Sequence, residues 1–181
     1  SEMCIRDRVC GAFEQRWQDP VRITPDAGRC WIALDRVRDP GNLGTIMRTA
    51  DATGARGIIL IGDCTDPYSV EAVRASMGAV FNVELAQMPE DDFLDLAAGW
   101  PGQIVGTALP ASRDYRKVDY AGPLILLMGN EQAGLTLALM KACTQLVRMP
   151  MMGRSDSLNL AVATGVTLYE ALRQRHPPED G

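Results

Sequence analysis

Three short stretches of this chain carry polar residues at spacings that could do chemistry. The first is Asp39-Pro-Gly-Asn-Leu-Gly-Thr-Ile-Met-Arg48, which puts an amide (Asn42) and a fixed positive charge (Arg48) on a turn running into a helix. Backbone N–H groups at a helix start attract anions, so this stretch suits a phosphate or a carboxylate. An ordinary turn followed by a solvated arginine is the plainer alternative. The second is Met128-Gly-Asn-Glu-Gln-Ala-Gly-Leu135, which follows the most apolar run in the chain. Gly129 and Gly134 permit a tight backbone around a ligand. Glu131 sits where a carboxylate is costly unless paired or ligand-bound, although an acid that merely favours a helix dipole would also fit. The third is Met149-Pro-Met-Met-Gly-Arg-Ser-Asp-Ser-Leu-Asn159, where Ser155, Ser157 and Asn159 crowd one region flanked by Arg148 and Arg154. Those arginines could meet phosphate, or could face water around a flexible loop with a serine cap.

Composition removes several other chemistries. The lone histidine, His176, excludes a histidine triad or a multi-histidine metal site within one chain. Five cysteines (4, 10, 30, 64, 143) are odd in number and lack a CxxC pair, against both a disulfide framework and a structural zinc site. Neither the GxGxxG nor the GxxxxGK[ST] loop is present, so dinucleotide and nucleoside-triphosphate loops have no support. Eighteen basic against 23 acidic residues give a net charge of −5 and a pI near 4.9. That excludes a simple basic nucleic-acid module but leaves room for a local basic site. Sixteen of the basic residues are arginine, and only Lys117 and Lys141 are lysine. No apolar run is long enough to span a bilayer, and the opening segment lacks a signal-peptide core, so a cytoplasmic location is expected.

The elements that must position these stretches alternate. Apolar runs at Trp31–Asp35, Gly57–Ile61, Ala79–Glu84, Gln103–Leu109, Leu124–Met128 and Gln145–Arg148 read as buried strands. Between them, helices are expected from near Asn42 (whose side chain could cap the helix) to Gly54, over Val70–Ala75, from Pro89 and over Leu135–Ala142. A last helix is expected over Ser157–Arg173, with Leu158, Val162, Gly165, Tyr169 and Leu172 along one side. At 181 residues and 46% apolar composition, this predicts a single α/β domain. Strands of continuous rather than alternating apolar character predict a mostly parallel sheet with helices on both faces. Such a sheet binds ligands at the loops after its strands' carboxyl ends, where all three stretches fall. Residues 1–29 read as an extension or linker, or the remnant of a longer region; 30–176 form the domain, and 177–181 a frayed tail.

Taken together, the three stretches resemble the signature motifs of the SpoU/TrmH family of RNA ribose 2′-O-methyltransferases, of the SPOUT class. Asn-Pro-x-Asn-x-Gly-x-x-x-Arg is matched by Asp39-Pro40-Gly41-Asn42-Leu43-Gly44 with Arg48, Asp39 departing from the leading Asn. Gly-x-Glu-x-x-Gly is matched by Gly129-Asn-Glu131-Gln-Ala-Gly134. Ile/Val-Pro-Met followed by Ser-Leu-Asn is matched by Met149-Pro150-Met151 and Ser157-Leu158-Asn159.

The resemblance spans roughly residues 30 to 173 and implies a C-terminal deep trefoil knot, over about residues 124 to 160. It implies S-adenosylmethionine as cofactor, with S-adenosylhomocysteine as product and no metal. The cofactor is expected against Thr107, Ala108 and Leu109; Met128, Gly129, Asn130, Glu131 and Gly134; Val147, Met149, Pro150 and Met151; and Ser157, Leu158 and Asn159. Catalysis falls to Arg48 and Asn42, with Glu131, Ser157 and Asn159 as site organisers. RNA contact falls to Arg48, Arg74, Ser76 and Arg154. The partners implied are ribosomal or transfer RNA and a second copy of the chain, with an active site drawn from both subunits. The separate N-terminal RNA-binding domain of many members is expected to be absent or removed. A non-catalytic RNA-binding or dimerisation module of the same fold, or methylation of a base instead of a ribose, are the alternatives.

In the family, the residue matching Arg48 is given the role of activating the 2′-hydroxyl. A guanidinium stays protonated in proteins. It can instead bind the adjacent phosphate and stabilise the developing alkoxide, leaving the proton to phosphate or water. Six arginines (Arg36, Arg38, Arg48, Arg74, Arg148, Arg154) are expected to make the active-site face positive on an otherwise acidic body.

Overall fold

The computed structural model describes residues 13–26, 28–108, 111 and 113–176. Among these residues, seven strands form one fully parallel sheet. They are β1 (Cys30–Asp35), β2 (Gly57–Ile61), β3 (Glu84–Met88), β4 (Gln103–Thr107), β5 (Arg113–Asp114), β6 (Leu124–Met128) and β7 (Gln145–Arg148). Their spatial order is β3-β2-β1-β6-β4-β7-β5. Five α-helices of the described residues accompany them: α1 (Pro40–Ala52), α2 (Val70–Ser76), α3 (Glu90–Ala98), α4 (Leu137–Ala142) and α5 (Leu160–Arg175).

The strands β1, β2 and β6 at the middle of the sheet are buried on both sides, which is why they read as unbroken apolar runs. One face (Ile32, Leu34, Ile58, Leu60, Leu126, Met128) packs against α1, α2 and α5. The other (Trp31, Ala33, Ile59, Ile61, Ile125, Leu127) packs against Phe93 of α3 and Leu139 of α4. At the β3 edge, the Gln18 amide donates to the Leu85 carbonyl (2.7 Å), and Ile23 joins the α3–α4 side of the core.

Several expectations need correction. Asn42 does not cap α1; Asp39 does, its carboxylate accepting from the Asn42 amide at 2.5 Å, with Pro40 at the first helical position. The third strand does not cover 79–84. Met77 (φ 52) and Gly78 (φ 93) are left-handed and turn the chain into a short 3-10 helix, Ala79–Phe81, whose Ala79 and Val80 are buried. The strand begins only at Glu84, which pairs with Gly57 in register and whose carboxylate meets Arg56 at 2.9 Å. β4 ends at Thr107, α4 starts after a Thr136 cap, and β5, too short to show as an apolar run, is an addition.

α5 departs most. It starts at Leu160, capped by Asn159, and the expected apolar side is largely its outer side: Leu158 (41%), Val162 (52%) and Tyr169 (54%) are exposed. Its buried face is Leu160, Ala161, Thr164, Thr167, Leu168 and Ala171. Both threonines are tolerated there because their hydroxyls donate back into the helix, Thr164 to the Leu160 carbonyl (2.7 Å) and Thr167 to that of Ala163 (2.9 Å). Small side chains let α5 lie close along α1, where Thr49 Cγ2 sits 3.6 Å from the place a Cβ would take on Gly165.

Candidate functional site

The sheet order fixes where a ligand crevice can form. From β1 the chain proceeds outward to β2 and β3, while from β6 it proceeds the other way to β7. β1 and β6 are neighbours, so their carboxyl ends bracket the topological switch point. The first motif follows β1, and the second follows β6. α5 begins at the same edge, because it runs alongside α1 in the same sense.

A chain of side-chain contacts joins all three motifs there. The Asn159 amide donates to Asn42 Oδ1 at 2.9 Å. Asn42 Nδ2 in turn donates to Glu131 Oε1 at 3.4 Å. These pairs are 117 and 89 residues apart in sequence, so only the fold brings them together. Asn159 is anchored from behind, its Oδ1 accepting from the Ala161 (2.9 Å) and Val162 (3.3 Å) amides as the cap of α5. Asn42 is anchored by Asp39.

The second motif is rigid by construction. Asn130 and Gly134 exchange backbone hydrogen bonds (3.2 and 2.9 Å), and Asn130 Oδ1 accepts from the Gln132 and Ala133 amides. Gly134 is left-handed (φ +67), and a Cβ on Gly129 would lie 2.5 Å from the Gly134 carbonyl carbon, so both glycines are required. Asn130 Nδ2 also donates to the Arg36 carbonyl at 2.7 Å, tying the β6 loop to the β1 loop. Arg36 is itself left-handed (φ 48) and forms a two-pronged pair with buried Asp35, both contacts at 2.8 Å. The paired carboxylate holds the Arg36 guanidinium above its ordinary pKa. Sequence reasoning passes over this pair. The available signal is Asp35, a lone acid closing an apolar strand.

The remaining loops adjoin this frame. Thr107 Oγ1 lies 3.6 Å from Met128 Sδ, and the Ala108 amide donates to the Val147 carbonyl at 3.0 Å. The ends of β6, β4 and β7 are therefore side by side. Leu109 lies outside the described residues. Pro150, Ser157 and Leu158 are exposed, Met149 and Met151 half-buried, and Met152 almost fully exposed. Ser157 faces its neighbour Asp156 (3.2 Å) instead of the Asn42 cluster. Among the described residues, no group of three or more His, Cys, Asp or Glu side chains is placed to hold a metal ion.

The basic residues divide. Arg48 is exposed on α1, six residues beyond Asn42, and Arg74 and Arg154 are exposed too; none makes an ion pair among the described residues. Arg36 and Arg38 do not add to a positive face, since Asp35 and Asp63 neutralise them. Ser76 is fully buried with its hydroxyl donating to the Val73 carbonyl (2.7 Å), so it is withdrawn from the RNA-facing set. The α1–α2 crossing needs glycine at position 44, where a Cβ would come within 3.0 Å of the Ser76 backbone nitrogen.

Comparison with known proteins agrees with this geometry. A sequence model described as the SpoU rRNA Methylase family matches residues 29–169. The chain is 41% identical over 173 residues to a 23S rRNA (uridine(2479)-2′-O)-methyltransferase of Streptomyces viridochromogenes, covering 92% of this chain and 60% of that protein. It is 38% identical over 152 residues to the 23S rRNA (guanosine-2′-O-)-methyltransferase RlmB of Pseudomonas aeruginosa, covering 82% of this chain and 60% of that one. The chain thus spans about three-fifths of the length of these curated relatives. The crystal structure of an AdoMet-bound rRNA methyltransferase from Sinorhizobium meliloti superimposes with a TM-score of 0.88 at 54% identity, over 92% of this chain and 64% of that one.

Proposed function

The chain belongs to the SpoU rRNA Methylase family, and from that premise we propose that it transfers a methyl group from S-adenosylmethionine to the ribose 2′-hydroxyl of a nucleotide in structured RNA, ribosomal or transfer. The observation that carries the reading is the Glu131–Asn42–Asn159 chain of contacts, which joins the three motifs at the switch point.

The residues present fit the cofactor. Its groove would be made by the loops after β4, β6 and β7, with Leu158 and the 149–152 methionines offering apolar cover and the tight 129–134 turn offering backbone groups. S-adenosylmethionine, when bound, supplies an already activated methyl group on a sulfonium, which needs no metal. Thr107, Ala108, Met128–Glu131, Gly134, Val147, Met149–Met151 and Ser157–Asn159 would hold it.

The chain's own task is then the acceptor. The 2′-hydroxyl must be aligned and must lose its proton as it attacks. Arg48, exposed and free of ion pairs among the described residues, binds the neighbouring phosphate and stabilises the developing alkoxide. The proton passes to phosphate or water. Asn42 is held at the crevice by Asp39, Asn159 and Glu131, which makes these last two organisers of the site.

The reading includes a homodimer. Val162, Val166 and Tyr169 leave an apolar strip exposed on α5, the helix that packs along α1. A second copy on that strip would bring Arg48 of one subunit to the loops of the other. The reading also includes a trefoil knot over about residues 124–160. Its support is that β7 lies between the earlier β4 and β5, while α4 and α5, on either side of β7 in sequence, pack on opposite faces. An experimental structure in which β7 reaches its place without passing through the turn of chain between β4 and β6 would contradict the knot. Residues 30–176 act as the methyltransferase domain.

The test of the activity is incubation with labelled S-adenosylmethionine and unmodified RNA, followed by mapping. A 2′-O-methyl mark supports the reading. A methyl on a base favours the base-methylation alternative, and donor binding without transfer favours the non-catalytic module.

A further inference from the structure

At the far edge of the sheet from α1 lies an open concavity of about 730 Å³, lined by Arg113, Asp114, Arg116, Lys117, Arg148 and Pro150. None of its charged residues belongs to the three motifs, yet Pro150 does, so the concavity abuts the proposed cofactor groove. Its charge balance is the informative feature. Asp114 is the one acid among the lining residues, and it is committed to Arg116 through contacts of 2.5 and 3.0 Å. The paired guanidinium holds that carboxyl at a pKa of about 2, so the pair stays neutral overall at ordinary pH. Arg113 is satisfied sideways by the neutral Gln145 amide. That leaves Arg113, Lys117 and Arg148 as three exposed cations with no ion pair among the described residues. A protein of net charge −5 has gathered them in one hollow.

The backbone fixes this arrangement. Asp114 stands opposite Arg148 in the β5–β7 ladder, and Lys117 ends the 3-10 turn, Tyr115–Lys117, that follows β5. The hollow opens at the carboxyl ends of β5 and β7, on the same edge as the switch point. Three strand spacings separate β1 from β7, so it lies roughly 15 Å from the Asn42 cluster.

The geometry points to a phosphate-binding cradle that grips the substrate's sugar–phosphate backbone away from the reacting nucleotide, a second RNA contact besides Arg48. The inference rests on the RNA-methyltransferase reading above. Guanidinium groups suit phosphate oxygens through paired N–H donors, and the ammonium of Lys117 adds a point charge. The cradle also explains how an acidic chain could hold RNA: three unpaired cations meet the phosphates locally, and the acid in their lining is committed to Arg116. Free polyphosphates share this chemistry, and the test separates the two sources.

Filter binding of unmodified 23S ribosomal RNA transcribed in vitro is measured with the whole chain across about 50 to 200 mM salt. For R113Q/K117Q/R148Q, the slope of log affinity against log salt is expected to fall by about 2.4, at roughly 0.7 to 0.9 for each phosphate no longer neutralised. The single variant K117Q, at an exposed position, is expected to lower it by about 0.8 and guards against misfolding of the triple variant. An unchanged slope in both, with wild-type RNA binding intact, overturns the cradle and leaves the enzyme reading standing. A wild-type chain that binds no RNA sinks both. Calorimetry with inorganic tripolyphosphate is the second arm. If the triple variant loses tripolyphosphate binding while keeping its RNA slope, the hollow serves a small phosphate ligand and the RNA assignment is wrong.

Discussion

At the scale of single residues, the role proposed for Arg48 is that of a planar, permanently charged donor and not a base. Arg48→Lys keeps the charge and loses the paired donors, so its kcat is expected to fall about tenfold to a hundredfold, the loss of roughly 1.4 to 2.7 kcal/mol of transition-state stabilisation. The affinity for S-adenosylmethionine, read by calorimetry, should not change. Near-full turnover in that variant would refute the planar-donor role. Asn159 carries two tasks that substitution can separate. Asn159→Asp keeps an oxygen for the Ala161 and Val162 amides, so helix capping survives, but it cannot donate to Asn42 Oδ1. Its urea midpoint should stay near wild type while turnover drops. Asn159→Ala should lose turnover and also about 1 kcal/mol of stability, measured by urea unfolding. Equal turnover in Asn159→Asp and wild type would mean that the Asn42 contact is idle.

At the scale of elements, the first motif is as much a packing device as a chemical one. Gly44 lets α1 approach α2 so closely that a Cβ would lie 2.5 Å from the Ala72 carbonyl oxygen and the Ala75 Cβ. Gly44→Ala therefore forces the helices apart and should cost about 1 to 3 kcal/mol in urea unfolding. A second prediction concerns alkali. Burial pushes the Cys143 thiol up to about 12, and those of Cys30 and Cys64 up to about 11. In the unfolded chain the same thiols ionise near their ordinary value of about 8.5. Above that value the unfolded state binds fewer protons, so stability is intact below about pH 8.5 and is lost as pH rises toward 11. Thermal unfolding should show this fall between those limits, and Cys143→Ala should make it shallower. A slope identical in the two proteins would contradict the assignment.

The elements also show where a sequence is legible. β2 and β6 coincide with their apolar runs because each is buried on both faces and bounded by turn residues. Residues 79–84 mislead, since Ala79-Val80-Phe81 is apolar in a strand or in a buried turn alike, and only the left-handed Met77 and Gly78 decide between them. In α5 the apolar stripe and the buried face are different sides of one helix. A face of Ala and back-bonded Thr does not read as core, and an outward strip of Val162, Val166 and Tyr169 does. For the site, the motifs mark Asn42, Glu131 and Asn159, but not that they touch. That depends on the β1–β6 adjacency and on α5 lying along α1, which are non-local. The Asp35–Arg36 pair and the charged residues of the β5-edge hollow belong to no motif.

At the scale of the whole molecule, the proposed dimer makes the strip on α5 an internal surface. Charges placed there cannot be buried without a partner. Val162→Glu combined with Val166→Glu should leave the fold intact by circular dichroism, halve the mass in sedimentation, and abolish turnover, since Arg48 would lose the opposite subunit's loops. A monomeric wild type, or an active monomeric variant, would show that each chain works alone. The central claim is that three loops and Arg48 make one centre for methylating ribose. The most direct measurement is mass-spectrometric mapping of unmodified ribosomal and transfer RNA after incubation with labelled S-adenosylmethionine and either wild type or Arg48→Ala. The expected result is a 2′-O-methyl group at a defined nucleotide with wild type, lowered at least a hundredfold in the variant. Label on a base, or an Arg48→Ala protein that methylates ribose as fast as wild type, would contradict it.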